Sequence, residues 1–238
     1  MSLGDHLREL RKRVVIAAIA VVLGGVAGWL LYDPLIHLLM EPLNEVRHQR
    51  GGDLVGINFG GVTQAFSIQL KVALFLGVIV ASPVWLYQIW AFLVPGLTKR
   101  ERRTAMAFVA AAVPLFLAGC YLATWALPKA VEVLFGFTPE GAANLSDASM
   151  YLAFVTRFIL AFGCAFLLPV FLVMLNVAHV LPARVMLKGW RPAVMLIAVF
   201  AAMMTPTPDA WTMLALMMPM IALYYGAVGV AFLLDRKR

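Results

Sequence analysis

The sequence predicts an all-α integral membrane protein with six transmembrane helices. Of its 238 residues, 63% are hydrophobic and only 13% are charged, and the mean hydropathy is +0.91, values far outside the range of soluble globular domains. Apolar runs recur along the chain, and crossing the hydrocarbon as a helix takes about 20 apolar residues. Because the alternating pattern of a membrane β-barrel is absent from these runs, helices are favoured.

The predicted spans form a single polytopic membrane domain over residues 1–238. In chain order they cover residues 14–31, 72–92, 105–127, 151–176, 193–204 and 211–234. The first run follows four basic residues, as the apolar core of a secretory signal would. Its 18 residues exceed the usual length of such a core, however, and no A-x-A cleavage site follows it. It is therefore interpreted as a retained anchor helix.

The fifth predicted span is short. Its 12 residues amount to about 18 Å of helix, against a hydrocarbon thickness of about 30 Å. A helix of this length has to thin the bilayer locally or be shielded by a partner. We therefore expect a single-span partner helix against the fifth and sixth spans, near Met204 and Met213.

Four prolines lie inside predicted spans, where each removes a backbone hydrogen bond and clashes with the preceding turn. They are Pro83, Pro114, Pro169 and Pro219. Four kinked helices favour a concave molecule over a straight bundle.

The first external loop, residues 33–70, is predicted to begin with an interfacial helix. Pro42 is expected to break or kink this helix. Four apolar residues at i, i+4, i+8 and i+11 form a stripe on one of its faces. They are Leu35, Leu39, Leu43 and Val46.

The distribution of basic residues predicts the orientation of the chain. Of the 19 lysines and arginines, 14 fall in four segments, which are the N-terminus, residues 99–103, residues 184–191 and the C-terminus. Both termini and the second and fourth loops are therefore expected to be cytoplasmic, where anionic lipids attract basic residues. The formal charge of +7 reflects this topology, and no basic segment interleaved with aromatic residues indicates nucleic-acid binding.

Two glutamates lie within basic clusters on the predicted cytoplasmic side. Glu9 belongs to HLRELRKR and Glu101 to LTKRERR. A carboxylate accepts two parallel hydrogen bonds from a guanidinium, a geometry that an ammonium group cannot reproduce. A carboxylate retained inside a basic cluster is therefore predicted to receive a cationic ligand. The alternative is that both glutamates only neutralise the basic residues around them.

Other functional classes find little support in the sequence. Cys120 and Cys164 have no C-x-x-C spacing and are expected to be packing residues. The four histidines are scattered, so no metal or other cofactor is predicted.

Arg157 lies about two turns into the fourth span, where snorkelling to the interface is favoured over a transport role. With so little charge in the spans a proton relay is hard to build, which disfavours a secondary transporter of a small solute, the main alternative. No H-E-x-x-H or G-x-S-x-G motif indicates an enzyme.

Four segments resemble the TatC family, the multispanning core of the twin-arginine protein translocase. They are HLRELRKR before the first span, MEPL in the first loop, SPVWLYQIWAFLVPGLTKRERR across the second span and its loop, and TPD before the sixth span. The resemblance covers essentially the whole chain. It implies a receptor in the bacterial cytoplasmic membrane for signal peptides of folded proteins, which carry two consecutive arginines. It also implies an oligomeric complex with single-span partners, TatA and TatB, and the proton motive force as energy source.

The resemblance also implies which residues form the receptor. Glu9 and Glu101 are implied to contact the two arginines of the signal peptide. Supporting roles around this cytoplasmic site are implied for Arg11, Gln88, Phe92 and Lys99.

Further roles and two departures concern the rest of the chain. The resemblance implies roles in shape or partner contact for Pro42, Pro83 and Asp209. Leu167 stands two positions before the proline of the fourth span, where the family often has an acidic residue. Met213 stands in the sixth span where a polar residue is common. Both departures reduce the polar groups available to a partner helix inside the membrane.

Overall fold

The computed structural model describes residues 3–50, 55–58, 60–61, 63–93, 99–136, 144–177, 181–204 and 210–236. Almost all residues within these ranges are helical, which confirms the predicted all-α class. The helices are α1 (Leu3–Leu30), α2 (Tyr32–Arg50), α3 (Gln64–Val80), α4 (Ser82–Leu93), α5 (Lys99–Gly136), α6 (Ala148–Val177), α7 (Ala183–Lys188), α8 (Trp190–Met204) and α9 (Ala210–Arg236). Two short strands, β1 (Val55–Asn58) and β2 (Asn144–Asp147), pair in parallel, with Val55 opposite Asn144.

Four of these helices are long and apolar enough to cross a membrane. The segments concerned are Gly4–Leu30, Met106–Gly136, Ala148–Val177 and Met213–Arg236. The pair α3 and α4 passes the same test jointly, which gives up to five spans. The predicted fifth span corresponds to α8, whose 15 residues amount to about 22 Å and are still short for the hydrocarbon. The count of six spans stays a prediction.

The predicted span over residues 72–92 is the one that differs most from the structure. Its helix begins at Gln64, well before residue 72, and divides at Ala81 into α3 and α4, which are bent by 60°. Pro83 is therefore the second residue of a new helix rather than a mid-helix residue. Proline suits this position because the first N–H groups of a helix have no intrahelical partner. Nε1 of Trp85 donates to the carbonyl O of Val78 at 2.9 Å and ties the two helices together across the break.

The chain divides into two compact units, of which the first comprises Met1–Val113 and Pro128–Leu152. In this unit α1 packs along α3 and α4. Small residues bring α1 and α3 close together, since a Cβ atom placed on Gly28 would lie 2.5 Å from the carbonyl O of Ala73. Other apolar side chains of α1 stay exposed, as lipid contact requires, among them Leu23 (66%) and Leu30 (80%).

The interfacial helix predicted in the first loop is α2, which runs through Pro42 without a break. Leu39 and Leu43 of the predicted stripe are buried. The hydroxyl of Tyr151 donates to the carbonyl O of Leu39 at 3.2 Å. Two residues of the stripe therefore pack on the protein, and the interfacial position of α2 stays a prediction.

Asp147 joins the short strand ladder to the beginning of α6. Its Oδ1 accepts hydrogen bonds from the backbone N–H groups of Ser149 and Met150, at 2.8 and 3.0 Å. Its Oδ2 accepts one from Nε2 of Gln64 at 2.7 Å. The Gln64 hydrogen bond, followed by those of the backbone, holds the pKa of the Asp147 carboxyl below its ordinary value. Asp147 thus caps α6 and links it to α3.

The second unit comprises Pro114–Leu127 and Ala153–Arg238. Within it, α6 approaches the middle of α5 at two glycines. A Cβ atom on Gly119 would lie 2.6 Å from the carbonyl O of Phe162, and one on Gly163 would lie 2.7 Å from the ring of Phe116. Leu167, at the position where the resemblance leads us to expect an acidic residue, is only 5% exposed.

A polar cluster fixes the ends of α6, α7 and α9. The buried Asn176 donates through Nδ2 to both carboxylate oxygens of Asp235, at 3.1 and 3.3 Å, and to the carbonyl O of Leu181 at 3.1 Å. The backbone N–H of Ala183 donates to Oδ2 of the same carboxylate at 3.1 Å. We call these four residues the α7 clasp, because they hold the beginning of α7 against the end of α9.

Candidate functional site

A groove of about 530 Å³ lies between the N-terminal half of α1 and the helix α4. Three basic side chains and two carboxylates face it from α1, at intervals of three and four residues that place them on one helix face. The lining residues are Asp5, Arg8, Glu9, Lys12, Arg13 and Ile16 from α1, and Tyr87 and Gln88 from α4. The groove therefore carries charged groups at a position where α1 is about to become a purely apolar helix.

Glu9 has the best-defined polar contacts in the groove. Its Oε1 accepts hydrogen bonds from Nη2 of Arg13 at 2.6 Å and from Nε of Arg13 at 3.1 Å. Nη1 of the same guanidinium donates to Oε1 of Gln88 at 3.3 Å. The side chains of Arg13 and Glu9 are 22% and 23% exposed. The ion pair is thus partly desolvated, and Arg13 connects α1 to α4.

A second contact joins α1 and α4, and its residue on α1 directly follows a residue of the groove. Phe92 of α4 stacks on His6 of α1, with ring centroids 4.5 Å apart and an interplanar angle of 27°. Because His6 follows Asp5 directly, this contact fixes α4 against the first turns of α1. Phe92 therefore supports the groove from its N-terminal end.

Glu101 and Lys99 lie in the first turn of α5, and their side chains are outside the described part of the chain. Phe108 of α5 stacks on Trp90 of α4, with ring centroids 4.8 Å apart. Glu101 precedes Phe108 by seven residues, about two helical turns. Both helices that carry the predicted glutamates therefore contact α4.

The structure brings together some of the predicted residues and adds others. Glu9 and Gln88 line the groove, whereas Arg11 is exposed and does not line it. Arg13 and Tyr87 line it without having been predicted. Arg13 follows Glu9 by four residues, a spacing typical of ion pairs on helices, and this was a usable signal. Tyr87 had no such signal, since the tertiary contact between α1 and α4 places it.

The residues expected to serve shape or partner contact lie elsewhere. Pro42 is buried in α2, and Pro83 is exposed at the beginning of α4. Met204 ends α8 and is 37% exposed, while Met213 of α9 is half-buried. Asp209 lies outside the described residues.

Several long apolar helices, with a polar groove at the end of the first, define a multi-spanning membrane protein. The chain belongs to the TatC family: the model of this family, Sec-independent protein translocase protein (TatC), matches residues 5–219. This confirms the resemblance found in the sequence and identifies the chain as a member of a family of protein translocase components.

Relatives and a solved structure agree with this assignment. The chain is 49% identical to the Sec-independent protein translocase protein TatC of Xylanimonas cellulosilytica, with all of this chain and 86% of the relative covered. It is 36% identical to the protein of the same name from Rothia mucilaginosa, with all of this chain and 81% of the relative covered. The crystal structure of the twin arginine translocase receptor TatC in DDM matches with a TM-score of 0.81 and 29% identity, over 95% of this chain and 99% of that chain.

Proposed function

We propose that this chain is the core receptor subunit of a twin-arginine protein translocase in the bacterial cytoplasmic membrane. It binds the consecutive arginines of a signal peptide at the groove between α1 and α4. With single-span partners of the TatA and TatB type it exports folded proteins, and the proton motive force supplies the energy. The observation that carries this proposal is a carboxylate, Glu9, in the wall of a polar groove of a TatC-family chain.

The contacts of Glu9 support the chemistry that the proposal requires. Glu9 already accepts two hydrogen bonds from one guanidinium, that of Arg13. An arginine of a signal peptide can bind the same carboxylate through two parallel hydrogen bonds, one to each oxygen, whereas a lysine offers one compact ammonium group and no planar fork. In the proposal Glu101 supplies the second carboxylate. Arg8 and Lys12 repel every cation that enters the groove, so a basic ligand binds tightly only where paired hydrogen bonds to a carboxylate offset this repulsion.

The proposed orientation places the groove, both termini and the second and fourth loops in the cytoplasm. The segregation of 14 of the 19 basic residues supports it. A cytoplasmic groove is also the one that a signal peptide meets before its cargo is exported.

The test measures the binding of a signal peptide with paired arginines, and of its paired-lysine variant, to the purified protein in detergent. We expect Glu9→Gln and Glu101→Gln each to weaken binding of the arginine peptide about ten- to a hundredfold, because each variant loses a charge-assisted hydrogen bond in a partly desolvated site. In the double variant the preference for arginine should largely vanish.

A matched control is Glu45→Gln, which makes the same chemical change on the exposed surface of α2. It should bind both peptides as the wild type does. If the double variant at positions 9 and 101 kept the full preference for arginine, the two carboxylates would not be the readers and the assignment would have to be withdrawn.

We place the single-span partner helix against α8 and α9. These helices pack on one another, α8 is too short to cross the hydrocarbon by itself, and the apolar surface beside them includes Met203 (80% exposed) and Met218 (66% exposed). A neighbouring helix would cover this surface and bridge the thinned bilayer.

Photoreactive side chains at Met204 and Met213 should therefore capture a small membrane protein in cells that express the partners. Matched probes at Leu23 of α1 and Tyr121 of α5, which are 66% and 77% exposed, should capture mainly lipid. The opposite pattern, with the partner captured from α1 and α5 only, would refute the placement.

A further inference from the structure

In the groove, the carboxylate proposed to receive an arginine of the signal peptide is already bound to an arginine of the chain itself. We propose that Arg13 competes with the ligand for Glu9, so that the signal peptide binds by exchanging its own guanidinium for that of Arg13. Only a ligand that binds Glu9 tightly enough then displaces Arg13 from the receptor site. This inference rests on the function proposed above.

The geometry of the ion pair favours exchange over sharing. A carboxylate oxygen has two lone pairs, and Oε1 of Glu9 already accepts two hydrogen bonds, from Nη2 and from Nε of Arg13. A guanidinium that binds through two parallel hydrogen bonds needs both oxygens of the carboxylate. As long as Arg13 stays in place, a ligand arginine can reach only Oε2 and loses the paired geometry that distinguishes it from lysine.

The charges in the groove point in the same direction. Arg8, Lys12 and Arg13 stand against Asp5 and Glu9. A ligand arginine that entered while Arg13 remained would bring a further cation to a groove with more basic than acidic side chains. If the guanidinium of Arg13 swings towards solvent, the carboxylate keeps one cationic partner, and Oε1 of Gln88 is released to accept a hydrogen bond from the ligand.

The pair is weak enough to be displaced. Glu9 and Arg13 are four residues apart on one helix and each is more than a fifth exposed. Ion pairs at this helical spacing favour the closed form by a factor of about 1.5 to 2.5. A ligand that binds only the open form then has its affinity reduced about 2.5- to 3.5-fold. Because a second cation of either kind is disfavoured in the groove while Arg13 remains, competition reduces the affinity of arginine and lysine ligands by this same factor. Arg13 therefore lowers the affinity of all cationic ligands, while the preference for arginine over lysine comes from the carboxylates.

The experiment measures the affinities of the paired-arginine peptide and the paired-lysine peptide for four proteins: the wild type, Arg13→Gln, Arg13→Lys and the control Lys12→Gln. Lys12 lines the same groove, so the control removes the same charge without removing the hydrogen bonds to Glu9. Arg13→Lys keeps the charge and loses the planar contact. Thermal melting of each variant in detergent verifies that the fold is intact.

We expect Arg13→Gln to bind both peptides about 2.5- to 3.5-fold more tightly than Lys12→Gln does, with an unchanged ratio between the two peptides. Arg13→Lys should show a smaller gain in the same direction, which cannot come from a change in net charge. In a Glu9→Gln background the gain from Arg13→Gln over Lys12→Gln should disappear, because there is no longer a carboxylate for which to compete.

Binding of Arg13→Gln that equals or falls below that of Lys12→Gln would overturn the proposal. A loss of affinity for the arginine peptide alone would mean that Arg13 orients Glu9 instead of competing for it. The two proposals fail in different ways. If Glu9→Gln weakens binding but the Arg13 variants do not strengthen it, only the exchange is wrong. If Glu9→Gln has no effect, Glu9 does not bind the signal peptide, and both its proposed role in the receptor and the exchange are wrong.

Discussion

At Gly28 the backbone of a neighbouring helix limits the size of the side chain. A Cβ atom there would lie 2.5 Å from the carbonyl O and 3.0 Å from Cα of Ala73 in α3. Because backbone atoms cannot rotate away, Gly28→Ala must push α1 and α3 apart. We expect a loss of about 1–3 kcal/mol of stability, measured as a lower melting temperature in detergent. Gly25→Ala is the matched control, since its Cβ would meet Ala73 and Leu74 at an ordinary 3.6 Å; equal losses in both variants would contradict the packing explanation.

Single residues also determine how far the sequence alone could define the site. Glu9 stands out because a carboxylate in a run of basic residues is chemically unusual, and the groove contains it as expected. The spacing of four residues indicated an ion pair between Glu9 and Arg13, but Lys12 at three residues has the same property, and only side-chain geometry selects Arg13. Arg11 illustrates the reverse case, since the resemblance points to it but its side chain is exposed outside the groove. Residue types predict which chemistry is possible, and the helix face decides which residue performs it.

At the scale of elements, the α7 clasp ties three helix ends to one carboxylate. Asp235→Ala would remove the acceptor of the Ala183 N–H and one acceptor of the buried Asn176 Nδ2. Buried donors that lose their partners cost about 1–3 kcal/mol, so we expect a lower melting temperature and faster hydrogen exchange at the beginning of α7. Arg236→Ala, a change of the next residue outside the clasp, should leave both unchanged. Unaltered exchange in Asp235→Ala would show that α7 is held by its apolar contacts alone.

The helices differ in how well their sequences predicted them. The stripe at Leu39 and Leu43 predicted α2, because an amphipathic pattern shows which face of a helix is apolar. The break between α3 and α4 was not predicted. The residues on both sides of it are uniformly apolar, and such a run shows neither a buried face nor the point at which a helix ends. Pro83 was visible in the sequence, but a proline is compatible with a kink inside a helix and with the first turn of a new one. The hydrogen bond from Trp85 to Val78 accompanies the beginning of the new helix, and it depends on the tertiary structure.

At the scale of the whole molecule, charge and hydropathy act on different features of the chain. The length of an apolar run decides which helices can cross the membrane, but it does not determine which end of a helix lies in the cytoplasm. The lysines and arginines outside the hydrocarbon supply that missing direction, because cytoplasmic segments retain them. The groove at Glu9 lies in one of these basic segments, so the proposed receptor requires the same orientation that the charges predict.

The orientation can be tested directly in intact cells with single cysteines, in a chain from which both native cysteines have been removed. We expect cysteines at Gly51 and Gly141 to react with a membrane-impermeant thiol reagent added outside, because both lie in predicted external loops. Cysteines at Thr98 and Lys188, in the basic second and fourth loops, should react only after the cells are opened. Labelling of Thr98 or Lys188 from outside would overturn the six-span topology. Labelling of Thr98, which follows α4 closely in the chain, would also place the Glu9 groove on the side of the membrane where no signal peptide arrives, and the receptor proposal would then be wrong.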